Sequence, residues 1–486
     1  MNLNQKNFFN YYTNVESYYD EHVDVLSNLT LKMSNDFNIS QNIFESVVKR
    51  ALAEVLAGGP KDFLCTKKVP IKHKVFYYLV MSLFLINIFF GKKNKKPIQK
   101  KIIFDCWNFA GYKNFYKPLL NLLNKNDVLL HVTNYHNLFK EINSNIAKIH
   151  SNKYLFDSNI SKKIIKTQAF SLKYYSNLSN QLNVNFVYLV LRIFKNIALH
   201  VTTAKQINCY MFFSARDNNF DSLRSYIYKK NGIQNIALLQ NGTRTGEWAN
   251  EAAELYTFCD FYFGFGVEQI AIQKGMVCKN KMSVGSIKLD SILKEYKNYN
   301  KKEHYDIAFL ASYDEDDSNF FKFKTYEIII NNLCLFKKNH PNLNVYYSQK
   351  LPIVKSDKYN LLVSKIKLSG ILCSSKNIKN SYEAIYSSSV VLFYKTTIGH
   401  EALAINSKVL NLNYDKDMVP FSHHSYYAVL TNSSYDEFES RLLFLLDSKI
   451  NDIEYEAQDL VLNYMNNSSN LNLPKEILET SFKNYI

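Results

Sequence analysis

Cysteine is scarce in this sequence, and its spacing argues against two kinds of structural site. The 486 residues contain seven cysteines, an odd number, with no CxxC pair and no Cys/His spacing of the kind that binds zinc. We therefore expect neither a disulfide framework nor a structural zinc, but reduced thiols in the cytosol. Cys209 and Cys259 stand beside predicted strands, where a thiol packs as a small apolar side chain.

Acidic residues are fewer than basic residues: the sequence contains 43 Asp and Glu and 59 Lys and Arg, which gives a formal net charge of +16. This balance suits nucleotide phosphates, acidic sugars or an anionic membrane surface as partners. Nucleic acid is not expected, because RNP-type aromatic motifs, zinc spacings and basic recognition helices are missing. The N-terminal residues do not form a signal peptide pattern, so the expected location is cytoplasmic.

The apolar run at 75–90 falls short of the ~20 residues that a membrane-spanning helix needs. Lysines flank this run on both sides. The pattern predicts a helix that lies in the membrane interface, which would make the protein peripheral at the inner face of the cytoplasmic membrane. A buried core helix with solvated lysine ends is the alternative interpretation.

Predicted strands alternate with helical patterns through most of the chain, which indicates an α/β fold with parallel sheets. The predicted strands include 101–105, 127–132 and 208–213 in a first group, and 305–310, 345–348, 370–372, 390–393 and 408–412 in a second. Before them, apolar residues at helical spacing predict a helical N-terminal extension. The predicted domains are the extension at 1–99, an acceptor domain at 100–295, a nucleotide-donor domain at 296–450 and a C-terminal helical tail at 451–486.

The most informative segment joins a predicted strand to a helix through small hydroxyl residues and a glycine. Residues 389–393 are apolar and β-branched, as in a buried parallel strand. The following turn would place Thr396, Thr397 and Gly399 at a helix N-terminus, where N–H groups and the helix dipole hold phosphate. Glu401 lies one turn further, placed to accept hydrogen bonds from a ribose. In the alternative interpretation, Thr397 only caps the helix and Glu401 offsets its dipole.

Three motifs precede this segment: Gln240-Asn241-Gly242 after a predicted strand, an aspartate followed by glycine at 260–266, and Val-Gly followed by aspartate at 284–290. Their order resembles that of bacterial surface-polysaccharide glycosyltransferases of the GT-B fold. These include the Kdo-transferase and polysialyltransferase-like groups and the related CDP-glycerol glycerophosphotransferases. The resemblance covers roughly 205–415. It implies a GT-B-like fold, with two doubly wound Rossmann-like domains facing a cleft, and a nucleotide-activated donor.

Two positions depart from that pattern. Many of these enzymes have a histidine after the glutamine, where this chain has Asn241. In the second half, a strand that commonly ends in lysine, proline, histidine, proline is replaced by a segment that keeps Lys350 and Pro352 without the histidine. A catalytic histidine at these two positions is therefore not available.

Glycosyl transfer with inversion needs a base for the acceptor hydroxyl and cationic or N–H groups for the departing nucleotide. Asp217 is our candidate base, because it follows a predicted strand at the edge where ligands bind in α/β sheets. Arg216 beside it would hold an acidic acceptor or lower the pKa of the base. Capping of a helix that begins near Phe220 is the alternative role for Asp217. Lys350, Lys395, Thr396 and Thr397 are the candidates for stabilising the leaving group, with no metal required.

Three other features have two interpretations each. The acidic run at 314–317 would suit a metal ion, or it begins a helix. His423 and His424 would contact a donor, or they lie on the surface. Glu247 and Trp248 would contact an acceptor, or they are a solvated carboxylate and a packed indole.

The residue patterns predict two domains and a phosphate site, and the resemblance implies a metal-independent glycosyltransferase without cofactors. By that resemblance it would move a sugar from a nucleotide donor, with CMP among the candidate nucleotides, to a lipid-linked, capsular or lipopolysaccharide glycan at the cytoplasmic membrane face. Three alternatives stay open: a CDP-glycerol-type glycerophosphotransferase, a sugar-nucleotide epimerase, and a non-catalytic partner subunit of a glycan-assembly complex.

Overall fold

The computed structural model contains two parallel sheets within the part of the chain that it describes. The described residues are 11–56, 68–92, 96–107, 111–132, 146–150, 154–217, 220–242, 256–273, 275–296, 304–311, 322–348, 357–373, 380–405, 407–415, 428–449, 465–466 and 472–482. We call the part built on the first sheet the first unit and the part built on the second sheet the second unit.

The first sheet has seven parallel strands in the order β3-β2-β1-β4-β5-β6-β7. The strands are β1 (Ile98–Cys106), β2 (Val128–Val132), β3 (Ala147–His150), β4 (Ile207–Ser214), β5 (Ile233–Leu239), β6 (Phe258–Gly264) and β7 (Val277–Ser283). Successive side chains of a strand point to opposite faces of the sheet. Ile103 and the next residue, Phe104, belong to two different apolar clusters, so the sheet is covered on both faces. The strand order reverses between β1 and β4, which is where doubly wound sheets bind ligands.

The second sheet has five parallel strands in the order β9-β8-β10-β11-β12. The strands are β8 (Tyr305–Leu310), β9 (Val345–Ser348), β10 (Ser388–Phe393), β11 (Lys408–Leu412) and β12 (Val429–Leu430). The strand predicted at 370–372 is reduced to one parallel bridge between Leu372 and Tyr346, after a turn in which Gly370 has a φ of +76°. The strand order of the second sheet reverses between β8 and β10, as the order of the first sheet does between β1 and β4. Two doubly wound sheets, as predicted, are therefore present.

Helices pack on both sheets. They are α1 (Tyr11–Glu21), α2 (Val23–Phe37), α3 (Gln41–Leu56), α4 (Ile71–Phe90), α5 (Lys117–Leu120), α6 (Ser158–Gln168), α7 (Leu172–Leu182), α8 (Phe186–Ala204), α9 (Ser222–Lys230), α10 (Val267–Ala271), α11 (Ile287–Tyr296), α12 (Phe323–Asn339), α13 (Asp357–Leu368), α14 (Ser381–Tyr386), α15 (Thr397–Ala404), α16 (Tyr435–Asp447) and α17 (Leu473–Phe482), with a π-helical turn at Tyr112–Tyr116 and a 3₁₀ turn at Lys125–Asp127. The predicted N-terminal helices α1 to α3 share one apolar core with the first sheet, in which Phe44 and Leu52 are fully buried.

The apolar run at 75–90 is part of a longer helix than its composition suggested. Helix α4 begins at Ile71, directly after Pro70, and its 20 residues make it long and apolar enough to cross a bilayer. Among the described residues α8 meets the same test, but 61% of its most apolar window is buried inside the first unit, against 28% for α4. Helix α8 is therefore a core helix, whereas α4 lies at the surface.

The two units share an apolar cluster and two chain crossings. Phe265 and Leu289 of the first unit pack with Val391, Phe393 and other side chains of the second sheet. After α16 the chain returns, and the Asn466 N–H donates to the Phe265 carbonyl at 2.7 Å. The predicted C-terminal tail thus contributes α17 to the core of the first sheet.

The described cysteines are all free thiols. Cys106, Cys209, Cys259 and Cys334 are buried, which agrees with thiols that pack as apolar side chains.

Candidate functional site

The predicted site residues lie at the two points where strand order reverses. Arg216 and Asp217 directly follow β4, next to the end of β1 in the first sheet. Lys395, Thr396 and Thr397 directly follow β10, next to the end of β8 in the second sheet. Both groups therefore occupy the position where open parallel sheets bind ligands.

Asp217 is buried, and its Oδ2 accepts a hydrogen bond from the Tyr262 hydroxyl at 3.2 Å. The capping role that we weighed for Asp217 belongs instead to Asp221, whose Oδ1 accepts the Arg224 N–H at 2.7 Å at the start of α9. The helix begins at Ser222, two residues after Phe220, near which the sequence placed its start. Asp221 therefore caps α9, and the role of Asp217 as a base stays a prediction.

Two amides of the Gln-Asn-Gly turn hold the neighbouring loops. Asn241 Nδ2 donates to the Ala215 carbonyl at 3.0 Å, one residue before Arg216. Gln240 accepts the Phe265 N–H at 2.8 Å, and its Nε2 donates to Gln269 Oε1 at 2.9 Å. The Asn241 side chain therefore positions the loop of Arg216 and Asp217 by holding the Ala215 carbonyl, a role that the sequence did not indicate.

A buried charge network lies beneath this loop. Asp105, at the end of β1, is fully buried and contacts Arg224 at 3.0 Å, His131 Nδ1 at 3.0 Å and the Ser214 hydroxyl at 3.1 Å. Burial alone would raise the pKa of Asp105, but the guanidinium of Arg224 and the hydrogen bond from His131 hold it well below its ordinary value. Sequence reasoning missed this network, since its members are far apart in the chain. The Arg216 N–H donates to the Ser214 hydroxyl at 3.2 Å, so a hydrogen bond connects the loop to this network.

Lys395 begins the donor-side turn with a φ of +50°, in the left-handed region. Its ammonium is buried and lies 2.7 Å from Asp415 Oδ2, which also accepts the Tyr394 hydroxyl at 2.6 Å. Burial would raise the pKa of Asp415, but Lys395 and the hydrogen bonds from Thr325 and Tyr394 hold it below its ordinary value. A phosphate that approaches Lys395 must therefore compete with Asp415.

Helix α15 begins where the sequence predicted it. Thr396 occupies the N-cap position, its side chain makes no capping hydrogen bond, and Thr397 is the first residue of the helix. A Cβ added at Gly399 would overlap the ring of Phe393. The glycine is therefore required by packing against the sheet, and not only by the close approach of a ligand as its motif suggested.

Glu401 is buried between the two units. Its Oε1 accepts the Ser286 hydroxyl at 2.8 Å, and its Oε2 accepts the Tyr382 hydroxyl. Ser286 lies in the Val-Gly motif that follows β7, where the Val284 N–H donates to the Gly264 carbonyl at 2.8 Å. One hydrogen bond thus joins the segment after β7 to α15, and a ribose could reach the buried Glu401 only by displacing one of these hydroxyls.

His400 is a further buried group of this helix that sequence reasoning did not single out. Its Nδ1 donates to the Thr396 carbonyl at 3.2 Å, and its ring packs edge-on against Phe393 with centroids 5.0 Å apart. Burial lowers the pKa of His400 to about 4, so the imidazole is neutral near pH 7.

Several predicted residues lie outside the described residues. They are Lys350 and Pro352, Glu247 and Trp248, the acidic run at 314–317, and His423 and His424. Within the described residues, no group of three His, Cys, Asp or Glu side chains is placed to hold a metal ion. The metal-independent mechanism therefore stays a prediction.

Comparisons with known proteins give structural neighbours only. No protein-family model matches the chain, and no curated protein matches it. A structure of the wall teichoic acid polymerase TagF with CDPG is similar over 92% of this chain and 98% of its own, with 11% identity and a TM-score of 0.46. An S. aureus MnaA–UDP structure covers 79% and 97%, with 13% identity and a TM-score of 0.45. UDP-GlcNAc 2-epimerase from Neisseria meningitidis covers 79% and 100%, with 13% identity and a TM-score of 0.42.

The architecture is GT-B-like. This conclusion depends on the chain's own sheet order, because the TM-scores above lie below 0.5. Both sheets reverse their strand order beside a candidate group, and the units meet at Ser286 and Glu401.

Proposed function

We propose that this protein is a glycosyltransferase that moves a sugar from a nucleotide-activated donor to a lipid-linked, capsular or lipopolysaccharide glycan at the cytoplasmic membrane face. One observation carries the proposal. A candidate base and a candidate phosphate site each lie where the strand order of a sheet reverses, and the two units that contain these sheets are in contact. Transfer between two substrates needs such a pair of sites, one for each substrate.

In this proposal the start of α15 binds the donor phosphates. Backbone N–H groups of its first turn and the positive end of the helix dipole supply the attraction, together with the hydroxyls of Thr396 and Thr397. Lys395 is neutralised by Asp415, so its contribution depends on how far the phosphate draws the ammonium away from that carboxylate.

On the other unit, Asp217 takes the proton from the acceptor hydroxyl as the sugar bond forms. The hydrogen bond from the Tyr262 hydroxyl fixes the orientation of the carboxylate in this mechanism. Arg216 binds an acidic group of the acceptor, held in place by Asn241 and the Asp105 network. The formal net charge of +16 favours the binding of both acidic glycans and nucleotide phosphates.

A two-stage experiment tests the function. Thermal unfolding of the purified protein with CMP, CDP, UDP and GDP identifies the nucleotide, since a ligand at 100 times its Kd stabilises the folded state by about 2.7 kcal/mol. Products from the matching donors are then analysed. Sugar transfer releases a nucleotide and forms a glycosidic bond, glycerol phosphate transfer releases CMP from CDP-glycerol, and epimerisation changes the sugar without releasing the nucleotide.

Each outcome selects one function. Nucleotide release that depends on a glycan acceptor supports the glycosyltransferase. An altered sugar on an intact donor, or glycerol phosphate transfer, replaces it with the corresponding alternative. If no nucleotide binds and no donor is consumed, a non-catalytic partner subunit is the correct description.

A further inference from the structure

Helix α4 presents an apolar face to solvent along its length. Its exposed apolar side chains recur every three or four residues, so they line one side of the helix. They include Val75, Tyr78, Leu79, Leu85, Ile86 and Phe89. Leu79 is 61% exposed, Ile86 55% and Phe89 72%. At ~1.5 Å per residue, the side chains from Val75 to Phe89 form an apolar strip ~21 Å long, and a contiguous strip of this size marks an interaction surface.

The opposite face of α4 fixes the helix to the first unit. His73 is hydrogen-bonded to Asn185 at 2.8 Å near one end of the helix. Near the other end, Asn87 Oδ1 accepts the Phe156 N–H at 2.7 Å. These buried polar contacts would be lost if α4 left the protein to cross a bilayer. The helix therefore lies along the surface, with only its outer face available.

The charge of the segment that contains α4 favours an anionic partner for this face. From 63 to 104 the sequence contains ten lysines and no aspartate or glutamate. Paired α4 faces of two copies would bring these like charges together, which is unfavourable. An anionic lipid surface attracts the same charges, each lysine near it contributing about 1 kcal/mol.

Exposed aromatic side chains next to α4 point to the same partner. Phe170 is 99% exposed and Tyr154 is 65% exposed. Both segments are tied to α4, since Asn87 donates to the Tyr154 carbonyl at 3.0 Å and Tyr77 donates to the Gln168 carbonyl. Aromatic rings are favoured at the boundary between lipid headgroups and acyl chains.

We propose that the outer face of α4 docks this protein on an anionic membrane surface, with the helix axis in the plane of the interface. Apolar side chains enter the boundary of the acyl chains, and the flanking lysines contact anionic headgroups. The inference depends on the exposure and charge of α4 and is independent of the chemistry proposed for the site.

Co-sedimentation with vesicles tests this surface. The wild-type chain is mixed with phosphatidylglycerol vesicles and with phosphatidylcholine vesicles, at low and high salt. Three exposed residues are replaced together in one variant, Leu79→Gln, Ile86→Gln and Phe89→Gln, because glutamine keeps a high helix propensity. The matched control is Leu335→Gln, Leu361→Gln and Leu368→Gln, three exposed leucines of α12 and α13 on the second unit. Thermal unfolding and nucleotide binding are measured for each protein.

We expect the wild type and the control to bind phosphatidylglycerol vesicles, with only partial release by high salt. The α4 variant should partition at least about tenfold more weakly, with unchanged thermal unfolding and nucleotide binding. Equal binding of the α4 variant and the wild type overturns the proposal, as does a wild type that stays in the supernatant. A wild-type dimer that the α4 variant converts to monomer, without vesicle binding, assigns the face to a second copy and also overturns it.

Discussion

The Ser286 hydroxyl donates a hydrogen bond of 2.8 Å to Glu401 Oε1, and this bond joins the first unit to the second. Ser286 also accepts the Leu289 N–H at 3.2 Å, so it caps α11 while it contacts α15. The carboxylate that the sequence assigned to a ribose is thus part of the interface between the units.

Substitutions of Ser286 and Glu401 distinguish the role of Glu401 in the interface from a role in ribose binding. Ser286→Ala removes one donor from a buried carboxylate and should lower the free energy of unfolding by about 1 to 3 kcal/mol, with nucleotide affinity unchanged. If Glu401 also binds a ribose, Glu401→Ala should weaken donor binding roughly ten- to hundredfold. Urea unfolding and nucleotide titration of both variants measure the two effects. Unchanged affinity in folded Glu401→Ala would leave the residue with its interface role alone.

Asp217 should be needed for turnover and not for stability. Loss of a general base costs about 10² to 10⁴ in rate, so Asp217→Asn should reduce kcat by this factor while nucleotide Kd stays the same. Asp221→Ala is the matched control, because it removes a helix cap and should cost about 1 kcal/mol of stability with kcat preserved. Near-normal turnover of Asp217→Asn would assign the base to another residue.

Gly399 tests whether packing or ligand approach requires a glycine in the donor-side turn. Gly399→Ala should destabilise the protein by about 1 to 3 kcal/mol, because the new Cβ overlaps the Phe393 ring. The double variant Gly399→Ala, Phe393→Leu should recover part of this loss in urea unfolding. A Gly399→Ala protein of wild-type stability that no longer binds nucleotide would instead favour a ligand requirement.

Two buried histidines should make the protein sensitive to mild acid. Burial lowers the pKa of His200 and of His400 to about 4, below the value near 6.5 that histidine has in an unfolded chain. Between these pH values the unfolded chain binds protons that the folded protein does not, so stability falls as pH decreases from 6.5 to 4.

The loss should reach roughly 3 kcal/mol for each fully buried imidazole. Urea unfolding at a series of pH values measures the slope, and His400→Gln should remove about half of it. A free energy of unfolding that is constant over this pH range would contradict the assignment.

Local patterns were sufficient to predict much of the fold. The strands at 305–310, 345–348 and 408–412 were predicted with the bounds that the structure has, because buried parallel strands are continuous apolar runs between polar turns. The short strand β3 was missed, since its four residues Ala147–His150 alternate a lysine with apolar residues and carry little signal.

The sequence predicted only those parts of the candidate site that are formed by residues close together in the chain. The turn from Lys395 to Glu401 is contiguous, so its place at the start of a helix could be inferred from composition and spacing. The partners of those residues come from elsewhere in the chain. Nothing local indicates that Glu401 meets Ser286, or that Asp105 lies beneath Arg216, because such contacts depend on how the sheets are assembled.

The return of the C-terminal segment has a consequence for how the protein can be divided. Helix α17 belongs to the first unit, where Leu473 and Ile477 pack in the apolar cluster beneath Phe104, although the second unit separates it from the rest of that unit in the chain. A truncated protein that ends after α16 would lack α17, so the apolar side chains that α17 covers would be exposed and the protein would be prone to aggregation. The second unit is thus inserted between two parts of the first unit's chain, so the first unit cannot be produced as one continuous stretch of sequence.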